Sequence, residues 1–160
     1  MRELAPGVHQ VDRGFVNSYL VEDVLVDGRR DVRGVRAHVL TCAGHAGRTT
    51  LPRWAGVGED LDVTGHLTEG DEVGGFTVLD VPGRSPGHLA LWRSRDGVLI
   101  CGDVFFGFPR PMPPPRLLTP DPGRNRESMR RLLALRPRLV LFGHGRPLRD
   151  VHRLEHLLDR

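Results

Sequence analysis

Three histidines, one aspartate and one cysteine stand where apolar runs give way to glycine. Val-Pro-Gly-Arg-Ser-Pro-Gly-His (81–88) is a glycine- and proline-stiffened loop that delivers His88 to the start of an apolar run. Val-Leu-Ile-Cys-Gly-Asp (98–103) ends in Asp103, and Leu-Val-Leu-Phe-Gly-His-Gly (139–145) presents His144. Val-Leu-Thr-Cys-Ala-Gly-His-Ala-Gly (39–47) carries Cys42 and His45. Imidazole nitrogen and carboxylate oxygen suit zinc and similar ions, and the loops at strand ends are where a rigid sheet mounts such groups. Four strand ends, each with a potential ligand beside a glycine, are hard to explain by packing alone.

The elements that would position these groups follow from local pattern. Residues 7–12, 16–21, 24–27 and 38–41 read as short strands, the second and third joined by a tight hairpin at Glu22 and Asp23. Residues 61–64 and 76–81 alternate as half-buried strands do, with an acidic turn over 69–72 before the second. The strands around residues 88–92 and 98–103 come next. Residues 48–57, with Pro52 and Trp54, read equally as a short helix or an irregular loop. Pro109, Pro111, Pro113, Pro114, Pro115, Pro120 and Pro122 make residues 105–122 a stiff, extended loop, either a wall beside the site or a plain connector. Met129, Leu132 and Leu133 share one face of a helix over 125–135, with arginines opposite, and a short terminal helix covers 150–159.

In their order and spacing, the segments PGRSPGH, CGD and FGHG resemble the later motifs of the metallo-β-lactamase superfamily of metal-dependent hydrolases, which includes the glyoxalase II type thioesterases. The resemblance covers nearly the whole chain. It implies an α/β fold, the four-layer αββα sandwich, with residues 1–160 as one domain. It also implies that Asp27 lies at the base of the metal site, whereas the local reading makes it a turn residue before Gly28. Between that aspartate and the next strand the superfamily places a loop and a full helix, but residues 28–37 leave room for neither. About ten residues make under three helical turns with nothing left for connections, so the fold is expected to be truncated there, with the first helix missing. The sheet face this exposes suggests a homodimer.

The first motif of the superfamily, Thr-His-x-His-x-Asp-His-x-Gly, divides its ligands between two metals. Here Thr41-Cys42-Ala43-Gly44-His45-Ala46-Gly47 is two residues shorter. By resemblance Cys42 stands at the first histidine, the second is deleted, Gly44 replaces the aspartate and His45 is kept. His88 then matches the lone histidine of the next motif, Asp103 the bridging carboxylate and His144 the final histidine. The second metal position keeps His45, Asp103 and His144, and three ligands with an open position make a catalytic zinc site. The first keeps only His88, a share of Asp103 and Cys42.

The resemblance therefore implies a hydrolase with one zinc ion per chain, iron or manganese being accepted by the same ligands. Such an ion would favour attack of water on the carbonyl of an ester, thioester or lactone, with His88 donating a proton or holding the substrate beside Asp103. The alternative is a non-catalytic member of the same fold that keeps the cleft for a small ligand or a protein partner.

Composition narrows the remaining classes. With 39% hydrophobic and 27% charged residues in 160, the chain suits one compact globular domain. No apolar run approaches the roughly 20 residues of a membrane span and no signal-peptide layout opens the chain, so a cytoplasmic location with no membrane partner is expected. Cys42 and Cys101 are then expected to be reduced, Cys101 as a small buried hydrophobe. The pI is near 9.6, yet net charge is only +3, lysine is absent and the arginines are scattered. A phosphate-binding surface needs clustered basic groups, so no specific nucleic-acid partner is expected. His-Arg-Leu-Glu-His (152–156) spells a metalloprotease-like signature but leaves almost no chain for a third ligand.

Overall fold

The computed structural model describes residues 1–13, 16–28, 34–42 and 66–158. Strands β1 (Arg2–Ala5), β2 (Val8–Arg13), β3 (Asn17–Val21), β4 (Val24–Val26) and β5 (Ala37–Val39) form one sheet in that order. Strands β6 (Glu72–Val73), β7 (Phe76–Asp80), β8 (Leu89–Arg93), β9 (Val98–Gly102) and β10 (Leu139–Phe142) form a second, in the order β10-β9-β8-β7-β6. Helix α1 (Pro122–Ala134) and the short α2 (His152–Glu155) pack on the second sheet.

Alternation along the strands builds the layers. In β9, Val98 and Ile100 face the first sheet while Leu99 and Cys101 face the helices. In β10, Leu139 and Leu141 face the first sheet while Val140 and Phe142 face the helices. A strand whose period-2 faces are both apolar must be covered on both sides. The sheets therefore enclose one core around Tyr19, Phe76, Leu91 and Ile100, and α1 and α2 close a second around Phe105, Leu132, Phe142 and Leu154. This is an α/β sandwich, as the resemblance implies, and among the described residues no helix stands between β4 and β5. The two strands pair in parallel, Leu25 opposite His38.

Several boundaries differ from the sequence reading. Arg2–Ala5, with no alternating apolar signal, is a strand because β2 offers it a partner edge. Helix α1 starts at Pro122, three residues earlier than the apolar face suggests. Asp121 caps it by accepting the Arg124 N–H at 2.9 Å, and Pro122 needs no hydrogen bond in the first turn. The terminal helix shrinks to His152–Glu155, followed by turns. Inside the proline-rich stretch a 3-10 turn forms over Arg116–Leu118. The expected elements at 48–57 and 61–64 lie outside the described residues. Among the described residues no helix is long and apolar enough to cross a membrane.

Candidate metal centre

The topology gathers the singled-out strand ends at one rim of the sandwich. β9 and β10 run parallel and end together at Gly102 and Phe142, and antiparallel β8 starts there. β4 and β5, also parallel, end there in the other sheet, and antiparallel β3 starts there at Asn17. The sheets are cross-linked at this rim, because the Leu89 N–H donates to the Thr41 carbonyl at 2.7 Å and the Asn17 N–H to the Gly143 carbonyl at 2.8 Å.

Asp103 is the centre of the cluster and is 1% exposed. His144 Nε2 lies 3.4 Å from its Oδ1, and Arg84 Nη2 donates to its Oδ2 at 3.3 Å. The Asp103 backbone N–H donates to His88 Nε2 at 3.1 Å, which places the ring proton on Nδ1, 3.2 Å from Ser85 Oγ. His88 is 1% exposed, and both of its nitrogens are engaged within the protein. The structure thus brings His88, Asp103 and His144 together. Cys42 is buried directly after Thr41, three residues beyond the end of β5. His45 lies outside the described residues.

Glycine and aspartate set the backbone that makes this approach possible. Gly102 has φ +53°, and a Cβ there would lie 2.6 Å from His88 Nε2 and 2.7 Å from Thr41 Oγ1. Asp27, fully buried, accepts the Thr41 N–H and the Thr41 hydroxyl at 2.8 Å each. Asp27 is a left-handed turn residue at φ +56°, as the local reading has it, and it also braces Thr41, the residue before Cys42.

His144 is held from both sides. Asn17 Nδ2 donates to the carbonyls of Phe142 at 2.9 Å and Gly145 at 2.7 Å, and Gln10 Nε2 donates to Asn17 Oδ1 at 3.0 Å. Tyr19 donates its hydroxyl to the Phe142 carbonyl at 2.7 Å; burial pushes this phenol well above its ordinary pKa, so it stays protonated. On the other side Phe106 lies against the His144 ring, centroids 5.0 Å apart, and the Gly107 N–H donates to the His144 carbonyl at 2.8 Å. The start of the proline-rich loop is thus a wall of the site. Asn17→Ala is expected to cost roughly 2–3 kcal/mol, because it removes three hydrogen bonds and takes this donor from the Gly145 carbonyl and this acceptor from the Gln10 amide, while the Phe142 carbonyl keeps the Tyr19 hydroxyl. Chemical denaturation measures this, and Asn17→Asp, which keeps the acceptor but not the donors, should lose nearly as much.

A metal site can be tested on these distances. Donors about 2.0–2.2 Å from a tetrahedral ion lie about 3.3–3.6 Å apart. The Asp103 and His144 donors, 3.4 Å apart, fit one edge of such a site. The first position does not fit: His88 Nε2 takes a backbone N–H there, and the second carboxylate oxygen takes Arg84. Among the described residues no group of three or more His, Cys, Asp or Glu side chains is arranged to hold an ion, so the fitting pair needs a third donor from elsewhere.

Arg84, Ser85, Gln10 and Thr41 carry no ligand-like signal in the sequence. Arg84 was visible as the one charged residue in the stiff 81–88 loop, but an arginine four residues before a histidine has no partner in the sequence itself. Cys101 is fully buried with its thiol pKa pushed strongly up by desolvation, in keeping with a packing role.

The profile described as "Metallo-beta-lactamase superfamily" matches residues 27–144, and the chain belongs to that superfamily. A "Probable metallo-hydrolase", YflN of Bacillus subtilis, is 30% identical over 106 residues, 55% of this chain and 40% of that protein. A "Hydroxyacylglutathione hydrolase" of Bdellovibrio bacteriovorus is 34% identical over 80 residues, 48% of this chain and 30% of that protein. The chain thus spans less than half the length of the curated relatives it matches. Among solved structures, a metallo-β-lactamase family protein of Thermus thermophilus superposes with TM-score 0.71 at 22% identity, over 98% of this chain and 80% of that one. A second, TTHA1623, solved in a di-iron-bound form, gives TM-score 0.65 at 24% identity over 96% of both chains. These two similarities show the fold.

Proposed function

We propose that residues 1–160 act as one metallo-β-lactamase-like domain, a hydrolase that holds one metal ion, zinc in the first instance, through Asp103, His144 and His45. The observation that carries this is the 3.4 Å approach of His144 Nε2 to Asp103 Oδ1 at the ends of two adjacent parallel strands. Relatives named as metallo-hydrolase and hydroxyacylglutathione hydrolase support an acyl-transfer reaction to water, with an ester, thioester or lactone as substrate. The ion supplies Lewis acidity for that reaction when bound.

The chain's own residues do the rest. Tyr19 and Asn17 fix the backbone of the His144 loop from behind, and Phe106 fixes the ring from the front. His88 holds the Asp103 backbone, so the carboxylate is presented from a fixed N–H rather than from a free loop. The half-buried Phe106, its ring 5.0 Å from that of His144, gives the site an apolar side suited to an acyl chain.

A second reading, a non-catalytic protein that uses the cleft for a small ligand or a partner, is favoured by one observation. Arg84 donates to the Asp103 carboxylate and His88 accepts the Asp103 N–H, so groups of the chain itself supply charge compensation and anchoring to this buried aspartate. Metal content per chain after dialysis and zinc reconstitution separates the readings. About one equivalent is expected, lost on His144→Ala, together with zinc-dependent turnover of a simple thioester. No metal under either condition overturns the hydrolase reading.

A further inference from the structure

We propose that Arg84 takes at Asp103 the place a second metal ion would take, so that it holds the centre to a single ion and weakens the grip on that ion. The inference deepens the one-ion reading above and rests on it. Arg84 is mounted, not merely nearby. The Ser128 hydroxyl donates to the Pro82 carbonyl at 2.8 Å and the Asp121 N–H to the Gly83 carbonyl at 3.1 Å, which ties the loop to the start of α1. Gly83 has φ +121°, and a Cβ there would meet the Asn125 backbone nitrogen at 2.1 Å, so only glycine lets the loop lie this close. The Arg84 side chain is 19% exposed, and among the described residues its Nε is buried without a partner and its hydrogen bond is the one to Asp103.

A carboxylate that bridges two ions must give one oxygen to each. Here Oδ1 faces His144 and Oδ2 faces the guanidinium. The imidazole that would complete the first position is turned to the Asp103 N–H instead. Two separate features thus close the same position, and one of them brings a fixed positive charge. A buried carboxylate needs a compensating charge, and the guanidinium meets that need when no ion is bound. It also repels a divalent cation a few ångströms away and shares the carboxylate's charge with it. Removing the charge should therefore tighten metal binding. An arginine that only braced Asp103 would give the opposite sign, because its loss would loosen a ligand.

The test is zinc affinity and stoichiometry by competition with a chromophoric chelator, on the full chain as wild type, Arg84→Gln and Arg84→Lys, with folding checked by circular dichroism. Wild type is expected to bind one equivalent, Arg84→Gln to bind it at least about tenfold tighter, and Arg84→Lys to stay within about threefold of wild type. Equal or weaker binding by Arg84→Gln overturns the inference, and so does a second equivalent in wild type. If wild type takes up no zinc while Arg84→Gln does, the one-ion reading falls but Arg84 still stands as the group that shuts the metal out. If neither binds, both fall. Should Arg84→Gln fail to fold, Arg84→Met keeps the apolar stem without the charge and is read in the same way.

Discussion

Gly102→Ala should cost roughly 3 kcal/mol or more of stability and abolish tight metal binding. A non-glycine residue held in the left-handed region costs about 1–2 kcal/mol by itself. The larger part comes from what the methyl group meets. Its position lies 2.6 Å from His88 Nε2, 2.7 Å from Thr41 Oγ1 and 3.0 Å from Thr41 Cβ, so both neighbours must move. His88 cannot retreat without losing the Asp103 N–H, and Thr41 cannot without losing Asp27; each lost buried hydrogen bond adds about 1–3 kcal/mol. Gly87→Ala is the control. It has φ +65° in the same region of the molecule, but nothing lies within 4 Å of the added Cβ. Its expected cost is the backbone strain alone, about 1–2 kcal/mol. Denaturant unfolding of the two variants, with zinc titration of each, decides the matter. Similar losses in both would mean that the close approach of His88 to Gly102 does not hold the site together.

This dependence on contact across strands explains what was legible in the sequence. The strands around residues 76–81, 88–92, 98–103 and 139–142 were readable because sheets covered on both sides leave a local signature: Val98, Leu99, Ile100 and Cys101 are all apolar. His88, Asp103 and His144 were readable for a similar reason, since each directly adjoins a glycine, His88 at the start of such a run and the other two at its end. Arg2–Ala5 was not, because an edge strand is defined by its partner rather than by its own pattern. Arg84 escaped for the same reason, its carboxylate being 19 residues away, and the carbonyls that Asn17 supports are 125 and 128 residues away. The arginines as a class looked like scattered surface charge. Arg131 on α1 does pair with Glu69 at the surface, while Arg93 is wholly buried, paired to Asp96 and set 4.8 Å over the Phe76 ring. Burial of a charge is a property of the fold, and nothing in the local spacing of Arg84 or Arg93 distinguishes them from their exposed neighbours.

Asp27 offers the second large effect, and it separates backbone from side-chain causes. Asp27→Ala is expected to destabilise by roughly 4 kcal/mol or more, whereas Asp27→Asn should cost about 1–2 kcal/mol. The carboxylate is fully buried and accepts both the N–H and the hydroxyl of Thr41. Alanine removes both acceptors and leaves a buried N–H without this partner; bonds to a charged acceptor contribute about 1.5–3 kcal/mol each. Alanine is also strained at φ +56°, which asparagine tolerates. Asparagine keeps one oxygen for the Thr41 N–H, and the Thr41 hydroxyl can turn to accept from its amide. Asp27→Gly removes the acceptors but relieves the strain, so it should fall between the two, closer to alanine. The effect should reach the metal centre, because the Thr41 carbonyl receives the Leu89 N–H and so sets the height at which His88 enters β8. Zinc affinity is therefore expected to drop with stability in the order Asn, Gly, Ala. If the alanine and asparagine proteins unfold at the same denaturant concentration, the brace on Thr41 contributes nothing and Asp27 is a turn residue alone.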